Sequence, residues 1–96
     1  MPLSRNHERQ LYDLVASVRD SKEAEMLLRD ILTPQELDSV AERWQLVQLL
    51  DAGMPQRDIA KKLGISISKI TRGSHMLQEG RGGFRMFLDR LKKKKV

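Results

Sequence analysis

The segment from residue 56 to residue 72 contains the polar and basic side chains that are best suited to molecular recognition in this sequence. Those that can bind phosphates or the edges of bases are Gln56, Arg57, Lys61, Ile67, Ser68, Lys69, Thr71 and Arg72. Hydroxyl and ammonium groups reach base edges in the major groove, and an isoleucine can contact the methyl group of thymine. Gln56, Arg57 and Lys61 lie at the start and on the side of the first helix, where side chains bind phosphates. This chemistry is recognition of duplex DNA.

The spacing of small and apolar residues in the same segment predicts a helix-turn-helix at about residues 56–77. Ala60 is small enough for two helices to cross closely, and Gly64, four residues later, permits the left-handed backbone of a tight turn. The apolar positions that would hold the two helices together are Ile59, Leu63, Ile65 and Ile70. The second helix could then enter the major groove with its N-terminal end. The alternative is a plain helical hairpin inside a larger bundle.

Charge is divided unevenly along the 96 residues. Residues 1–54 contain six Lys and Arg against ten Asp and Glu, and residues 55–96 contain twelve against three. An acidic half joined to a strongly basic half indicates a scaffold and a region that binds a polyanion. The alternative is that the basic helices are only solvated.

Several classes of protein are not expected from this composition. The chain has no cysteine, and its two histidines, His7 and His75, are far apart, so no metal site is expected. No apolar stretch is long enough for a membrane span, and the N-terminus lacks the apolar core of a signal peptide. We find no catalytic residues: no carboxylate pair, nucleophile with its base or phosphate-cradling loop. The expectation is a cytoplasmic, non-enzymatic protein with one domain over residues 1–96.

Five or six helices account for most of the chain, which predicts an all-α fold. The first, from about Asn6 to Arg19, has an apolar stripe, and Ser21 is placed to cap the second. Thr33, Pro34 and Glu36 have the pattern of a helix cap, a first helical residue and a capping box.

The helix that begins at Thr33 is long, and Gly53 would end it. Trp44 lies on it, in a core or a dimer interface, because apolar residues occur on more than one of its faces. After the helix-turn-helix and a Gly80–Gly83 loop, a last helix would run from Phe84 to about Lys92. The basic tail, residues 92–96, would fray.

Four short strings resemble the bacterial Trp repressor family. They are Leu32-Thr33-Pro34, Glu42-Arg43, Gln56-Arg57 and Ile70-Thr71-Arg72-Gly73-Ser74, and the last is the most specific. The resemblance covers roughly residues 7–92. It implies a six-helix, intertwined homodimer that binds an operator in double-stranded DNA. L-tryptophan would be its corepressor ligand and would control genes for tryptophan biosynthesis or uptake.

The resemblance also implies a tryptophan site lined by both subunits. Arg43 and Arg72 would sandwich the indole, as guanidinium planes stack on aromatic rings. Arg72, assisted by Thr33, would hold the carboxylate. The backbone carbonyls of Asp30 and Leu32 would accept from the ammonium, and Gly73 would leave space for the ligand. Each also has an ordinary structural interpretation: Thr33 as a cap, Arg43 as a surface ion-pair partner, Arg72 as a phosphate contact.

The sequence departs from the family pattern at three places. Met76 stands where the family often has a small polar residue near the ligand's amino group, which allows a different aromatic ligand. The Gly53-Met54-Pro55 loop is one residue shorter, and Ala60 replaces a basic residue that contacts DNA. Two alternatives to a tryptophan-dependent repressor therefore stay open. One is a related helix-turn-helix regulator that binds DNA independently of tryptophan, and the other is a helical protein–protein adaptor.

Overall fold

The computed structural model describes residues 3–94, and every regular element among them is an α-helix. The helices are α1 (Leu3–Ala16), α2 (Ser21–Ile31), α3 (Pro34–Asp51), α4 (Gln56–Leu63), α5 (Ile67–Glu79) and α6 (Gly83–Lys94). The chain divides into two compact units, Met1–Leu37 and Asp38–Val96. The all-α prediction is confirmed, with six helices.

Local hydrogen bonds set the ends of the helices in the first unit, and three predicted ends are wrong. The α1 helix begins at Leu3 instead of about Asn6. The α1 helix stops at Ala16 instead of Arg19 because the backbone and hydroxyl of Ser17 both donate to the carbonyl of Leu14. The cap of α2 is Asp20, whose carboxylate accepts from the amide of Glu23, so Ser21 is already the first helical residue.

The capping box before α3 is confirmed. Thr33 Oγ1 accepts from the amide of Glu36 at 3.1 Å, and Glu36 Oε1 accepts from the amide of Thr33 at 2.8 Å. This reciprocal pair satisfies two backbone donors that a helix N-terminus otherwise leaves without partners.

A small apolar core holds the second unit together. Leu46 from α3, Ile59 from α4 and Ile70 from α5 are buried, and both isoleucines are fully so. Leu63 and Ile65 pack against this cluster together with Ala60. The apolar positions predicted to join the helices of the helix-turn-helix therefore do so.

A carboxylate at the end of α3 is bound by two cations from α6. Asp51 lies 2.7 Å from Arg85 Nη1 and 2.6 Å from Lys92 Nζ. These hydrogen bonds, Lys92 first and Arg85 second, hold the pKa of Asp51 below its usual value. The prediction that the tail frays from Lys92 is wrong for the described part, because α6 continues to Lys94 and Lys92 pairs with Asp51. Lys95 and Val96 lie outside the described residues.

An aromatic pair also joins α3 to the start of α6. The rings of Trp44 and Phe84 stack with centroids 6.2 Å apart and planes inclined by 27°. Trp44 is half-buried. The pair places α6 beside the same stretch of α3 that carries Arg43 and Leu46.

Candidate functional site

The helix-turn-helix is built as its sequence pattern predicts. The α4 helix ends at Gly64, whose φ of 65° lies in the left-handed region that favours glycine. Ser66 caps α5, and its hydroxyl accepts from the amide of Lys69 at 3.3 Å. Ile59 and Ile70 are buried beneath the turn, so the polar positions of α5 are left at the surface.

All the residues predicted to contact DNA are exposed. Gln56, Arg57 and Lys61 lie on α4, and Ile67, Ser68, Lys69, Thr71 and Arg72 lie on the first two turns of α5. Ile67 is 51% exposed, so its side chain is accessible to a partner surface. The hydroxyl of Thr71 donates to the carbonyl of Ile67 at 3.0 Å and keeps its oxygen free to accept.

A cavity of about 250 Å³ lies between α3 and α5. Two helix faces with the same spacing form most of its wall. They are Ser39, Glu42, Arg43 and Leu46 from α3, and Lys69, Arg72, Gly73 and Met76 from α5. Each set follows the i, i+3, i+4, i+7 pattern of one helix face. Ile65 and Phe84 complete the lining.

The cavity combines apolar walls with a rim of charge. Leu46, Ile65, Met76 and Phe84 supply the apolar surface, and the charged residues are Glu42, Arg43, Lys69 and Arg72. Guanidinium groups stack on aromatic rings and form charge-assisted pairs with carboxylates. The lining therefore has the chemistry to bind a planar aromatic molecule that carries a carboxylate.

Three of the six residues predicted to bind tryptophan line this cavity, namely Arg43, Arg72 and Gly73. The other three belong to the first unit. Asp30 lies in the last turn of α2, Leu32 is the C-cap of that helix, and Thr33 caps α3. Thr33 is therefore a helix cap, as its ordinary structural interpretation predicted, and Leu32 ends α2.

Gly73 is buried at the closest approach of α5 to α3. A Cβ atom built there would lie 2.6 Å from Leu46 Cδ2 and 3.1 Å from Leu46 Cγ. The absence of a side chain at position 73 lets the two helices approach and leaves Leu46 in the cavity wall.

Sequence reasoning did not assign Ser39, Glu42 or Phe84 to a site. Ser39 lies four residues before Arg43, so it shares a helix face with Arg43. Glu42 lies three residues after Ser39 and four before Leu46, so the same projection, extended along the face, would have found it. Phe84 gives no such signal, because it comes from a different helix, α6, where it also stacks on Trp44.

His75 is exposed on α5, where its Nδ1 lies 3.2 Å from Glu79 Oε2. This contact with the next turn makes it a surface residue of α5. No group of His, Asp and Glu within residues 3–94 is arranged to hold a metal ion. In the same residues no helix has both the length and the apolar character that crossing a bilayer requires.

The fold and the exposed face of α5 define a helix-turn-helix DNA-binding regulator. Comparison with known proteins narrows this class, because the profile of the Trp repressor protein family matches residues 6–92. The chain belongs to the Trp repressor family. This family is regulatory and non-enzymatic, which confirms that the chain is not an enzyme.

The matches to known relatives cover most of the chain. The Trp operon repressor homolog of Pasteurella multocida is 47% identical over 83 residues, which cover 81% of this chain and 79% of that protein. The homolog of Mannheimia succiniciproducens is 43% identical over 82 residues, covering 81% and 80%. The crystal structure of a TrpR-like protein from Eubacterium eligens superposes with a TM-score of 0.82 at 30% identity, covering 88% of this chain and 87% of that one.

Proposed function

We propose that this protein is a transcriptional repressor that uses L-tryptophan as its corepressor. The observation that carries the proposal is the cavity between α3 and α5, which brings Arg43 and Arg72 together beside Gly73. Two guanidinium groups at one apolar cavity suit an indole ring with a carboxylate. The family membership supports tryptophan as the aromatic ligand.

The position of Arg72 supports a link between the ligand and DNA. Arg72 lines the cavity and also lies on α5 next to Thr71, on the helix proposed to enter the major groove. A ligand bound against Arg72 would favour one orientation of α5 over others. By binding that orientation more tightly, tryptophan shifts the population toward the form that binds DNA.

We further propose that the protein acts as an intertwined homodimer in the cytoplasm. Leu11, Leu14 and Val15 form one stripe on α1, and each is at least 40% exposed. A second apolar surface follows α6, where Phe87 and Leu91 are also at least 40% exposed. Contiguous exposed apolar surfaces are typical of protein–protein contact sites. A second copy would also supply the α2–α3 junction, with Thr33 and the carbonyls of Asp30 and Leu32, to the tryptophan site.

Two recognition helices in such a dimer would read half-sites one helical turn of DNA apart. The genes under control would be those for tryptophan biosynthesis or uptake. Excess tryptophan would then reduce its own supply.

The proposal is tested by a DNA mobility shift in which tryptophan is titrated against the wild-type protein and an Arg72→Ala variant. Wild type should bind a cognate operator more tightly as tryptophan rises. R72A should lose both tryptophan binding, measured by calorimetry, and the response of DNA binding. Arg9→Ala on α1 is the matched control, since Arg9 is an exposed arginine outside both sites.

An R72A variant that bound tryptophan with wild-type affinity would defeat the assignment of the site. DNA binding by the wild type that depended on salt but ignored tryptophan would instead favour a regulator with another ligand. Met76 is the observation that favours this second candidate, because it places a thioether in the cavity wall where the family often has a small polar residue.

A further inference from the structure

An ion pair between α3 and α5 lies at the rim of the tryptophan cavity. Lys69 Nζ is 3.5 Å from Glu42 Oε1, and both residues line the cavity. Glu42 is the one carboxylate among the residues that line it. The contact spans 27 positions of sequence, so it joins the helix that carries Arg43 to the helix proposed to read DNA.

The two side chains of this ion pair differ in their exposure to solvent. The Lys69 side chain is 64% exposed and that of Glu42 is 36% exposed. An exposed ion pair at this distance is weak, because solvent screens the two charges and the lysine side chain loses conformational entropy when it is held in one rotamer. A competing cation that is already held in the cavity can therefore displace Lys69.

An amino acid ligand brings such a cation. The carboxylate of tryptophan would pair with Arg72, and its ammonium then needs an acceptor. The backbone carbonyls that the family implies are neutral, whereas Glu42 supplies opposite charge, which makes a stronger hydrogen bond.

We infer that the ligand's ammonium takes the place of the Lys69 ammonium on Glu42. Glu42 thereby selects for ligands that carry an amine and couples ligand binding to DNA binding. Lys69 is thereby released from α3. Because it lies in the first turn of α5, beside Ile67 and Ser68, the freed side chain can contact a DNA phosphate. This inference rests on the proposed tryptophan-dependent function and adds a ligand group and a cation exchange to it.

The first test compares tryptophan with indole-3-propionate, which has the ring and the carboxylate but no amine. Both are titrated by calorimetry into the wild-type protein, Glu42→Gln and Asp38→Asn. D38N is the matched control, because Asp38 is an exposed carboxylate on the same helix that does not line the cavity. E42Q should bind tryptophan about tenfold or more weakly, as expected for loss of a charged hydrogen bond. Its affinity for indole-3-propionate should stay at or above that of wild type, and D38N should bind both as wild type does.

The second test follows the salt dependence of operator binding. With tryptophan, the slope of log affinity against log salt for wild type should be steeper by about 0.9 per subunit, one phosphate contact, than without it. Lys69→Gln should lose this increment. E42Q should show the steeper slope already without tryptophan, because Lys69 is no longer held by a carboxylate.

The outcomes separate this inference from the function on which it rests. Equal weakening of both ligands in E42Q, or no weakening of either, would overturn the inference and leave a tryptophan repressor in place. A K69Q variant that kept the tryptophan-dependent increment would overturn the release of Lys69. A wild-type protein that bound neither compound would refute the proposed function and the inference together.

Discussion

Gly73 of α5 lies so close to Leu46 of α3 that a Cβ atom at position 73 would be 2.6 Å from Leu46 Cδ2. Leu46 is only 4% exposed and belongs to the core cluster with Ile59 and Ile70. Its side chain is held by packing in this core, and a Cβ atom at position 73 would displace it from that packing. The distance between the two helices that form the cavity is set at this contact.

Gly73→Ala should destabilise the protein and weaken ligand binding. Overpacking a core lowers the free energy of unfolding by about 1–3 kcal/mol. Replacing a glycine by alanine within a helix raises it by about 1 kcal/mol. We expect a net loss of up to about 2 kcal/mol in the free energy of unfolding, measured by urea denaturation. Gly83→Ala is the control, since open space surrounds Gly83 and its φ is not positive. A G73A variant as stable as wild type, with an unchanged ligand affinity, would contradict this account of the contact.

Two isoleucines three positions apart on α5 should respond to alanine in opposite ways. Ile70 is fully buried, so Ile70→Ala should lower the free energy of unfolding by about 2–5 kcal/mol. Ile67 is 51% exposed, so Ile67→Ala should change stability by no more than about 0.5 kcal/mol. I67A should instead weaken operator binding. Thermal unfolding and mobility shift on both variants check this; a strongly destabilised I67A would show that the side chain has a structural role.

Removing the hydroxyl that caps α3 should have a moderate cost. Thr33 Oγ1 accepts from the amide of Glu36, and loss of such a cap lowers stability by about 1 kcal/mol. Thr33→Ala should show that loss in urea denaturation, whereas Thr33→Ser keeps the hydroxyl and should retain most of the stability. Equal effects of the two substitutions would mean that the methyl group, not the hydrogen bond, matters.

Asp51 should make the stability of the protein sensitive to acid. Its hydrogen bonds to Lys92 and Arg85 lower its pKa below 3.8 in the folded state, so the carboxylate binds protons more readily when the chain is unfolded. The stability that it contributes is therefore present above about pH 4, the unfolded value, and is lost as the pH falls through the lowered pKa.

The test compares wild type with Asp51→Asn in urea denaturation at pH 7 and at pH values below 4. D51N should be less stable at pH 7, and the difference should shrink as the pH falls. Asp89→Asn is the control, because Asp89 is an exposed carboxylate on α6 that lies 3.8 Å from the same Arg85. A difference between wild type and D51N that did not change with pH would rule out the ionised carboxylate as its source.

The amino-acid sequence by itself determined the local elements of this protein. The start of α4 at Gln56, the left-handed Gly64, the Thr33 capping box and the buried face of the helix-turn-helix are all as predicted. They depend on hydrogen bonds and side-chain spacing within about four residues, which a single sequence displays. The sequence did not predict the end of α1 or the cap of α2, because several neighbouring residues can end or cap a helix there. The hydrogen bonds of Ser17 and Asp20 decide between them.

Only the tertiary structure decided which helix faces pack against each other. The sequence contains Glu42, Lys69, Asp51 and Arg85, but nothing in their local surroundings shows that they pair across 27 and 34 positions. The same holds for Phe84 of α6, which stacks on Trp44 of α3 and lines the cavity. Such contacts follow from the close approach of α5 to α3 at Gly73 and from the attachment of α6 to Asp51, and packing between distant helices has no periodic signature along the chain.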